Sequence, residues 1–311
     1  MPEPMRLDEI RRLDAELEAQ TGPGHPASGL APGVASRGNV AVAGHDGFLF
    51  ISNGANRWER QFLGELRIEP EWAPNWRALF EERQAQAAAR GVMLWNLIVP
   101  EKQVIYPDKR WGPGGPTGER RPMMALAAHL GPEARLVYPV AELKAVRGLA
   151  PAYFRHNSHW TSSGCCVAAA TLLQRMGVAL DIASLTFPVE RMTGRQDLSV
   201  HFFEPPPHET YARVVPAGEV VDANRSFETT GRNTGETYTV VNPRAQDPRA
   251  VLLFGDSYAF DTGLAAALSV VFAKVVFVWS KPVLWDLVEE KACDIVIWEC
   301  AERFLAGVPE T

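Results

Sequence analysis

Ala250-Val251-Leu252-Leu253-Phe254-Gly255-Asp256-Ser257-Tyr258 is the stretch on which the reading of this chain turns. An unbroken apolar run closed by a glycine describes a strand covered on both faces, the pattern of a parallel sheet. Such a strand ending in Gly-Asp-Ser carries a hydroxyl to the carboxyl edge of the sheet, where open α/β sheets bind ligands. Gly255 permits a tight turn, and Ala259 lets the next helix approach the sheet. The start of that helix, with Asp256 and Tyr258 flanking Ser257, is expected to offer backbone N–H groups as part of an oxyanion hole. A serine hydroxyl becomes a nucleophile only when a base takes its proton, a task suited to neutral imidazole. Without a histidine, Gly-Asp-Ser describes only a turn or a helix cap.

The histidine is sought upstream, in Tyr153-Phe154-Arg155-His156-Asn157-Ser158-His159-Trp160-Thr161. His159 precedes a helix predicted over Ser162 to Met176, with Thr161 or Ser162 as its cap. A helix N-terminus lowers an imidazole's pKa and keeps it neutral. His156 is a rival base, expected to point away from His159. His45, His129, His201 and His208 have less distinctive surroundings and read as structural or exposed.

Outward from these segments, strands alternate with helices. Val92 to Val99, Leu136 to Tyr138, Lys274 to Val278 and Asp294 to Trp298 read as strands. Trp72 to Arg90, Met123 to Leu130, Pro139 to Arg147, 259–269 and 282–291 read as helices. That order predicts an α/β fold, a three-layer α/β/α sandwich with a mostly parallel sheet. Asn39 to Ser52 reads as a hairpin turning at Asp46-Gly47. Residues 185–245 lack helical periodicity and are expected to form a β-rich insertion or cap. Residues 1–38, an amphipathic helix over 4–20 and a Gly/Pro/Ala/Ser-rich stretch over 21–38, form an N-terminal helix and linker ahead of a domain spanning 39–311.

The 311 residues are 46% hydrophobic, enough for a sizeable core, and the net charge of -6 argues against a nucleic-acid partner. The charged helix at the start lacks the apolar core of a secretory signal, and no run approaches a membrane span, so a cytoplasmic protein is expected. Cys165, Cys166, Cys293 and Cys300 have neither zinc-ligand nor disulfide-framework spacing and read as buried thiols. No His/Cys/carboxylate cluster has ligand spacing, and no phosphate-binding glycine loop appears, so neither a metal nor a bound cofactor is expected. Some of the nine Trp could cover a sugar face. Trp160, Arg155, Lys102 and Arg110 are candidate substrate contacts. Arg110, with Arg120 and Arg121, lies in the Pro/Gly/Arg-rich loop 107–122 and would meet donor phosphates or an acidic acceptor.

Taken together, these segments resemble the alginate O-acetyltransferase group of SGNH-hydrolase-like proteins. Asn157-Ser158-His159-Trp160-Thr161 is similar to its Asp-x-His-Trp-Thr motif, and Gly255-Asp256-Ser257 to its nucleophile motif, in the same order. Gly44-His45-Asp46-Gly47-Phe48-Leu49-Phe50, Val99-Pro100-Glu101-Lys102 with Ile105-Tyr106-Pro107, and Asp294-Ile295-Val296-Ile297 with Glu302-Arg303-Phe304-Leu305 are similar to further segments of the group. The resemblance covers roughly 39–305. It implies an SGNH-hydrolase-like fold and acetyl transfer to carbohydrate hydroxyls through an acyl-serine. Ser257 would be nucleophile, His159 general acid/base, and residue 157 the orienting carboxylate.

Residue 157 is asparagine, which orients a ring without stabilising imidazolium and can select the wrong tautomer; in a serine protease that change costs about 10⁴ in turnover. Three readings follow. The site runs as a Ser–His dyad oriented by Asn157; or Asp197 or Asp256 supplies the carboxylate; or the site binds without catalysis. An O-acyltransferase is expected, with a carbohydrate esterase and a silent glycan- or metabolite-binding domain as alternatives. In a cytoplasmic setting the donor would be soluble, an acyl-CoA or an acyl carrier protein, and the acceptor a carbohydrate or another small hydroxyl compound.

Overall fold

The apolar runs become the central strands of one sheet. The computed structural model describes residues 2–22, 24–54, 56–112, 121–179, 181, 184–224, 234–260 and 263–309. In chain order the first half contains β1 (Glu3–Arg6), α1 (Leu7–Thr21), β2 (Ala41–Ala43), β3 (Leu49–Ile51), α2 (Trp58–Phe62), α3 (Trp72–Ala89), β4 (Met93–Val99), α4 (Lys102–Ile105), α5 (Pro122–Ala127), β5 (Leu136–Val137), α6 (Val140–Arg147) and α7 (Ser162–Arg175). The second half adds β6 (Thr186–Arg195), β7 (His208–Val214), β8 (Glu219–Asn224), β9 (Thr237–Val241), β10 (Asp247–Gly255), α8 (Ser257–Phe260), α9 (Leu264–Leu268), β11 (Phe272–Trp279), α10 (Trp285–Lys291) and β12 (Ile295–Ala301).

The main sheet has seven strands in the order β5-β4-β12-β10-β11-β9-β8. The run from β5 to β11 is parallel; β9 and β8 close one edge antiparallel. Side chains alternate between two cores. Val251, Leu253, Val275, Phe277, Ile295 and Ile297 pack with α1, α6, α7 and α9. Leu252, Phe254, Val276, Val278, Val296 and Trp298 pack with α3, α5 and α10. Parallel connections place helices on both faces, so these strands present apolar side chains to both layers along their central stretches. This is the expected three-layer sandwich. The chain leaves β10 toward β11 and returns through α10 to β12 on the other side of β10. The carboxyl end of β10 therefore lies where the connections diverge, a position that leaves a crevice for ligands.

Three local expectations change. The single helix expected over 259–269 is two short ones, with Gly263 at φ 92 before α9. That left-handed backbone interrupts the helix, and a Cβ at Gly263 would lie 3.0 Å from the Val214 carbonyl. Residues 185–245 are not one cap: β6 and β7 join β1 in a separate antiparallel sheet, while β8 and β9 extend the main one. The stretch expected as a linker lies against the fold, with His25, Ala27 and Ser36 buried. The hairpin forms as expected, with Asp46 and Gly47 both at positive φ.

Helix α1 is tied into the same core as the sheet. Ile10, Leu13 and Leu17 belong to it, and Asp14 Oδ2 accepts the Ser163 N–H at 2.7 Å in the first turn of α7. Burial pushes the Asp14 carboxyl up to about 7. Leu13→Ala is expected to lower stability by about 2–5 kcal/mol, read as a lower urea midpoint at unchanged slope. A helix merely appended to the domain would leave the midpoint where it was.

Candidate active site

Ser257 opens α8 immediately after β10, and its side chain is only partly buried. The turn is held from behind by Asp256, whose Oδ1 accepts the Tyr258 N–H at 2.9 Å and Oδ2 the Ala301 N–H at 3.0 Å. Asp256 is thereby committed to the backbone, which corrects the expectation that it could orient the histidine. The Asp256 N–H in turn donates to Glu299 Oε2 at 2.9 Å. A Cβ on Gly255 would lie 2.6 Å from that carboxylate oxygen and 2.7 Å from the Ala259 Cβ, so only glycine fits. With the Tyr258 N–H occupied, the expected backbone oxyanion donors reduce to the Ser257 N–H, which has no acceptor among the described residues.

The histidine arrives on a tight loop. Tyr153 and Trp160 form an isolated antiparallel bridge, and the Phe154 N–H donates to the His159 carbonyl at 3.1 Å. Inside this loop lies the Lys102 ammonium, donating to the carbonyls of Phe154, Arg155 and Asn157 at 3.0, 3.0 and 2.8 Å. Burial pulls Lys102 down to about 7. Three acceptors nevertheless require three N–H bonds, which only the charged form carries. Tyr258 holds the loop from the other side: its hydroxyl donates to the Ser158 carbonyl at 2.7 Å, and its ring lies 4.6 Å from that of His159.

His159 Nε2 lies 2.7 Å from Ser257 Oγ, across ninety-eight residues of chain. On the other side of the ring, Nδ1 lies 2.7 Å from Asn157 Oδ1. The same amide oxygen accepts the His159 backbone N–H at 3.0 Å, while Asn157 Nδ2 donates to Gln196 Oε1 at 2.8 Å. A backbone N–H can only donate, so the atom facing it is the oxygen. The ring proton therefore sits on Nδ1, and Nε2 offers its lone pair to Ser257. Asparagine here selects the tautomer that can take the serine proton, not the wrong one. Asp197 is also close: it accepts the Ser158 N–H at 2.7 Å and the Ser158 hydroxyl at 2.5 Å, and its Oδ2 is 3.6 Å from His159 Nδ1. Burial lowers the His159 pKa below its usual value; Asp197 and, more weakly, Asp256 oppose that, and Arg303 and Lys102 add to it.

The four expected substrate contacts are committed to internal partners. Trp160 is fully buried with its ring edge-on to Tyr258. Lys102 is enclosed by the three carbonyls. Arg155 Nε donates to Glu18 at 2.6 Å and its NH1 to the Asp46 carbonyl at 2.9 Å. Arg110 is buried in an ion pair with Glu59 and donates to the Trp111 carbonyl at 3.1 Å. Arg121 pairs with buried Glu302 at 3.2 Å, and Arg120 lies outside the described residues. Loop composition suggests cations free for a substrate; carboxylates and carbonyls supplied by other segments take them instead. His156 turns away from Ser257, its Nδ1 lying 3.0 Å from Glu209.

Sequence reasoning missed Gln196 as a partner of Asn157, and it missed His25. Among the described residues, His25, His156 and Glu209 are a trio close enough to hold a metal ion. Their hydrogen bonding does not fit one. His25 Nδ1 accepts the Ala27 N–H at 3.1 Å, leaving its proton on Nε2, which faces Glu209 at 3.1 Å. The two rings are stacked 3.6 Å apart at 12°, so their planes, along which ligating lone pairs aim, do not meet within bonding reach of both rings. The trio joins the N-terminal segment, the histidine loop and β7.

The sequence over residues 41–302 matches the family described as SGNH hydrolase-like domain, acetyltransferase AlgX. No curated protein matches the chain by sequence. Among solved structures, the O-acetyltransferase domain of Pseudomonas putida AlgJ is similar with TM-score 0.54 and 19% identity, over 87% of this chain and 94% of that one. Bacillus cereus PatB1 is similar with TM-score 0.59 and 11% identity, over 78% and 93%. A DHHW family protein from Eubacterium siraeum is similar with TM-score 0.57 and 14% identity, over 89% and 95%. At these identities the likeness establishes a shared fold.

Lys102→Met strands three carbonyls inside the protein. It is expected to cost at least about 2 kcal/mol in chemical denaturation. Faster amide exchange confined to the segment around 153–160 would accompany it, and an unchanged exchange pattern would deny Lys102 this role.

Proposed function

The chain belongs to the SGNH hydrolase-like, acetyltransferase AlgX family, and from that premise we propose an O-acyltransferase that moves an acetyl group onto a carbohydrate hydroxyl through an acyl-serine at Ser257. The observation that carries the reading is the 2.7 Å contact between His159 Nε2 and Ser257 Oγ, with the ring proton held on Nδ1 by Asn157. In the first half-reaction His159 accepts the Ser257 proton as Oγ bonds to the donor's carbonyl carbon. The oxygen of that carbonyl gains negative charge, which the Ser257 N–H would meet. The donor's leaving group departs with the proton from His159. In the second half-reaction the acceptor hydroxyl gives its proton to His159 and attacks the ester; Ser257 leaves and recovers that proton. Water in place of the sugar would make the same site an esterase. The proposed donor is a soluble acyl thioester, such as an acyl-CoA or an acyl carrier protein.

Incubation with an activated acetyl ester, and separately with acetyl-CoA, followed by intact-mass measurement tests this directly. One added acetyl group is expected, mapped to Ser257 and absent from Ser257→Ala. No adduct with any donor would favour a binding domain. Products with and without a sugar acceptor then separate transferase from esterase. His159→Ala is expected to slow acylation at least about a thousandfold.

The pH profile has a defined sign. His159 works as a base only when neutral, and burial lowers its pKa below the usual 6.5. Acylation is therefore expected to persist below pH 6.5 and to fail as pH drops through that lower value. An acid limb above 6.5 in kcat/KM would contradict this assignment.

A further inference from the structure

Resting on the acyl-serine reading above, we propose that the work of the orienting carboxylate is divided here between two neighbours: Asn157, locked by Gln196, sets the tautomer of His159, and Asp197, through Ser158, supplies the negative charge. A single carboxylate does two separable things for a catalytic imidazole. It accepts the Nδ1 proton, which fixes tautomer and orientation, and its charge stabilises the imidazolium that forms. An amide can perform only the first, and only when its oxygen faces the ring.

The lock on that orientation has two parts. The His159 N–H requires an acceptor and meets Asn157 Oδ1; Gln196 Oε1 then receives the Asn157 amide N–H. Gln196 is buried at 2% exposure, with no bulk water to substitute for it. Were the amide reversed, its NH₂ would face Nδ1, the ring proton would move to Nε2, and Ser257 would meet a donor in place of a base.

The charge comes from the next residue along. Asp197 Oδ2 lies 3.6 Å from Nδ1, the one carboxylate paired with this ring among the described residues, and the Ser158 hydroxyl stands between them, 3.3 Å from Nδ1 and donating to Asp197. Its side chain is 39% exposed, so solvent weakens the attraction without abolishing it at this range. The other charged groups around the ring do not replace it. Asp256 also favours imidazolium, but more weakly than Asp197 and with both oxygens taken by backbone N–H groups, while Arg303 and Lys102 disfavour it. Gln196 and Asp197 are anchored through the preceding strand. They follow β6, whose last residues pair with β7 at Glu209 and His208, and Glu209 bonds His156 of the histidine loop. In the reaction only the Ser257 proton moves, from Oγ to Nε2; the Nδ1 proton stays on the ring and Asp197 stays unprotonated. Asp197 and Gln196 are positioning residues.

Asp197→Asn keeps the shape and the bond from the Ser158 N–H while removing the charge. It is expected to lower kcat/KM by about tenfold and to move the acid limb to lower pH, because Asp197 raises the His159 pKa. In an Asn157→Asp background, where residue 157 carries the charge itself, the same substitution is expected to cost about threefold or less. Equal losses in the two backgrounds, or an unmoved acid limb, would overturn the division of labour. Gln196→Leu is expected to lower kcat with KM held, and Asn157→Asp to rescue it, since a carboxylate has no NH₂ to misplace; failure of that rescue would overturn the lock. The His159 ring titration, followed by NMR in the unmodified protein and in Asp197→Asn, needs no turnover. A titration that does not move refutes the role of Asp197, whereas a titration that moves while no acyl-enzyme forms refutes the acyl-serine reading instead.

Discussion

A single buried ammonium inside a loop of carbonyls is the constraint on which the rest of the site depends. Lys102 holds the backbone of Phe154, Arg155 and Asn157 from within, and the orientation of His159 follows from that backbone. Burying a charge is unfavourable, and burial pulls Lys102 down to about 7. Carbonyl dipoles converging on it offset part of that cost and order the loop in return.

The surroundings of Lys102 show why one sheet edge can assemble so much. Lys102 follows β4, Glu302 and Arg303 follow β12, and Asp256 and Ser257 follow β10, and these three strands are neighbours in the sheet. Their carboxyl ends therefore deliver a lysine, an arginine, acids and a serine to one place. Arg303 binds Glu101 at 2.7 Å, and Tyr138 and Arg121 both bind Glu302. Burial raises Glu101 to about 7 and raises Glu302 as well. Buried pairs of this kind add little net stability, and breaking one is costly. Their effect here is to leave the strand ends one arrangement in which every charge has a partner, and that arrangement puts Ser257 under His159.

Much of the fold was legible in sequence because burial on two faces leaves an unmistakable trace. Val251 to Phe254 and Ile295 to Trp298 are apolar without interruption, and each proved to be a central strand between two helical layers. Ser257 and His159 were legible because Gly-Asp-Ser and Asn-x-His-Trp-Thr are short, local and resemble those of a known group. What failed was the assignment of cations to substrate. Arg155, Arg110 and Lys102 look free to meet a substrate until Glu18, Glu59 and three backbone carbonyls, from 137, 51 and 52 to 55 positions away, take them inward. Gln196 was equally hidden, since nothing local marks a glutamine that will meet an asparagine 39 residues earlier.

Sequence alone determined the layered architecture, the serine at the end of its central strand and the histidine loop, since periodicity and short motifs are properties of contiguous residues. Only the tertiary structure decided what Asn157 means. An amide is two-faced, and which face meets the imidazole depends on donors and acceptors brought from elsewhere in the chain. The His159 N–H and Gln196 turn the oxygen inward, and Asp197 brings a charge beside it. Hydrogen-bond direction is a relation between groups in space, and no linear pattern records it.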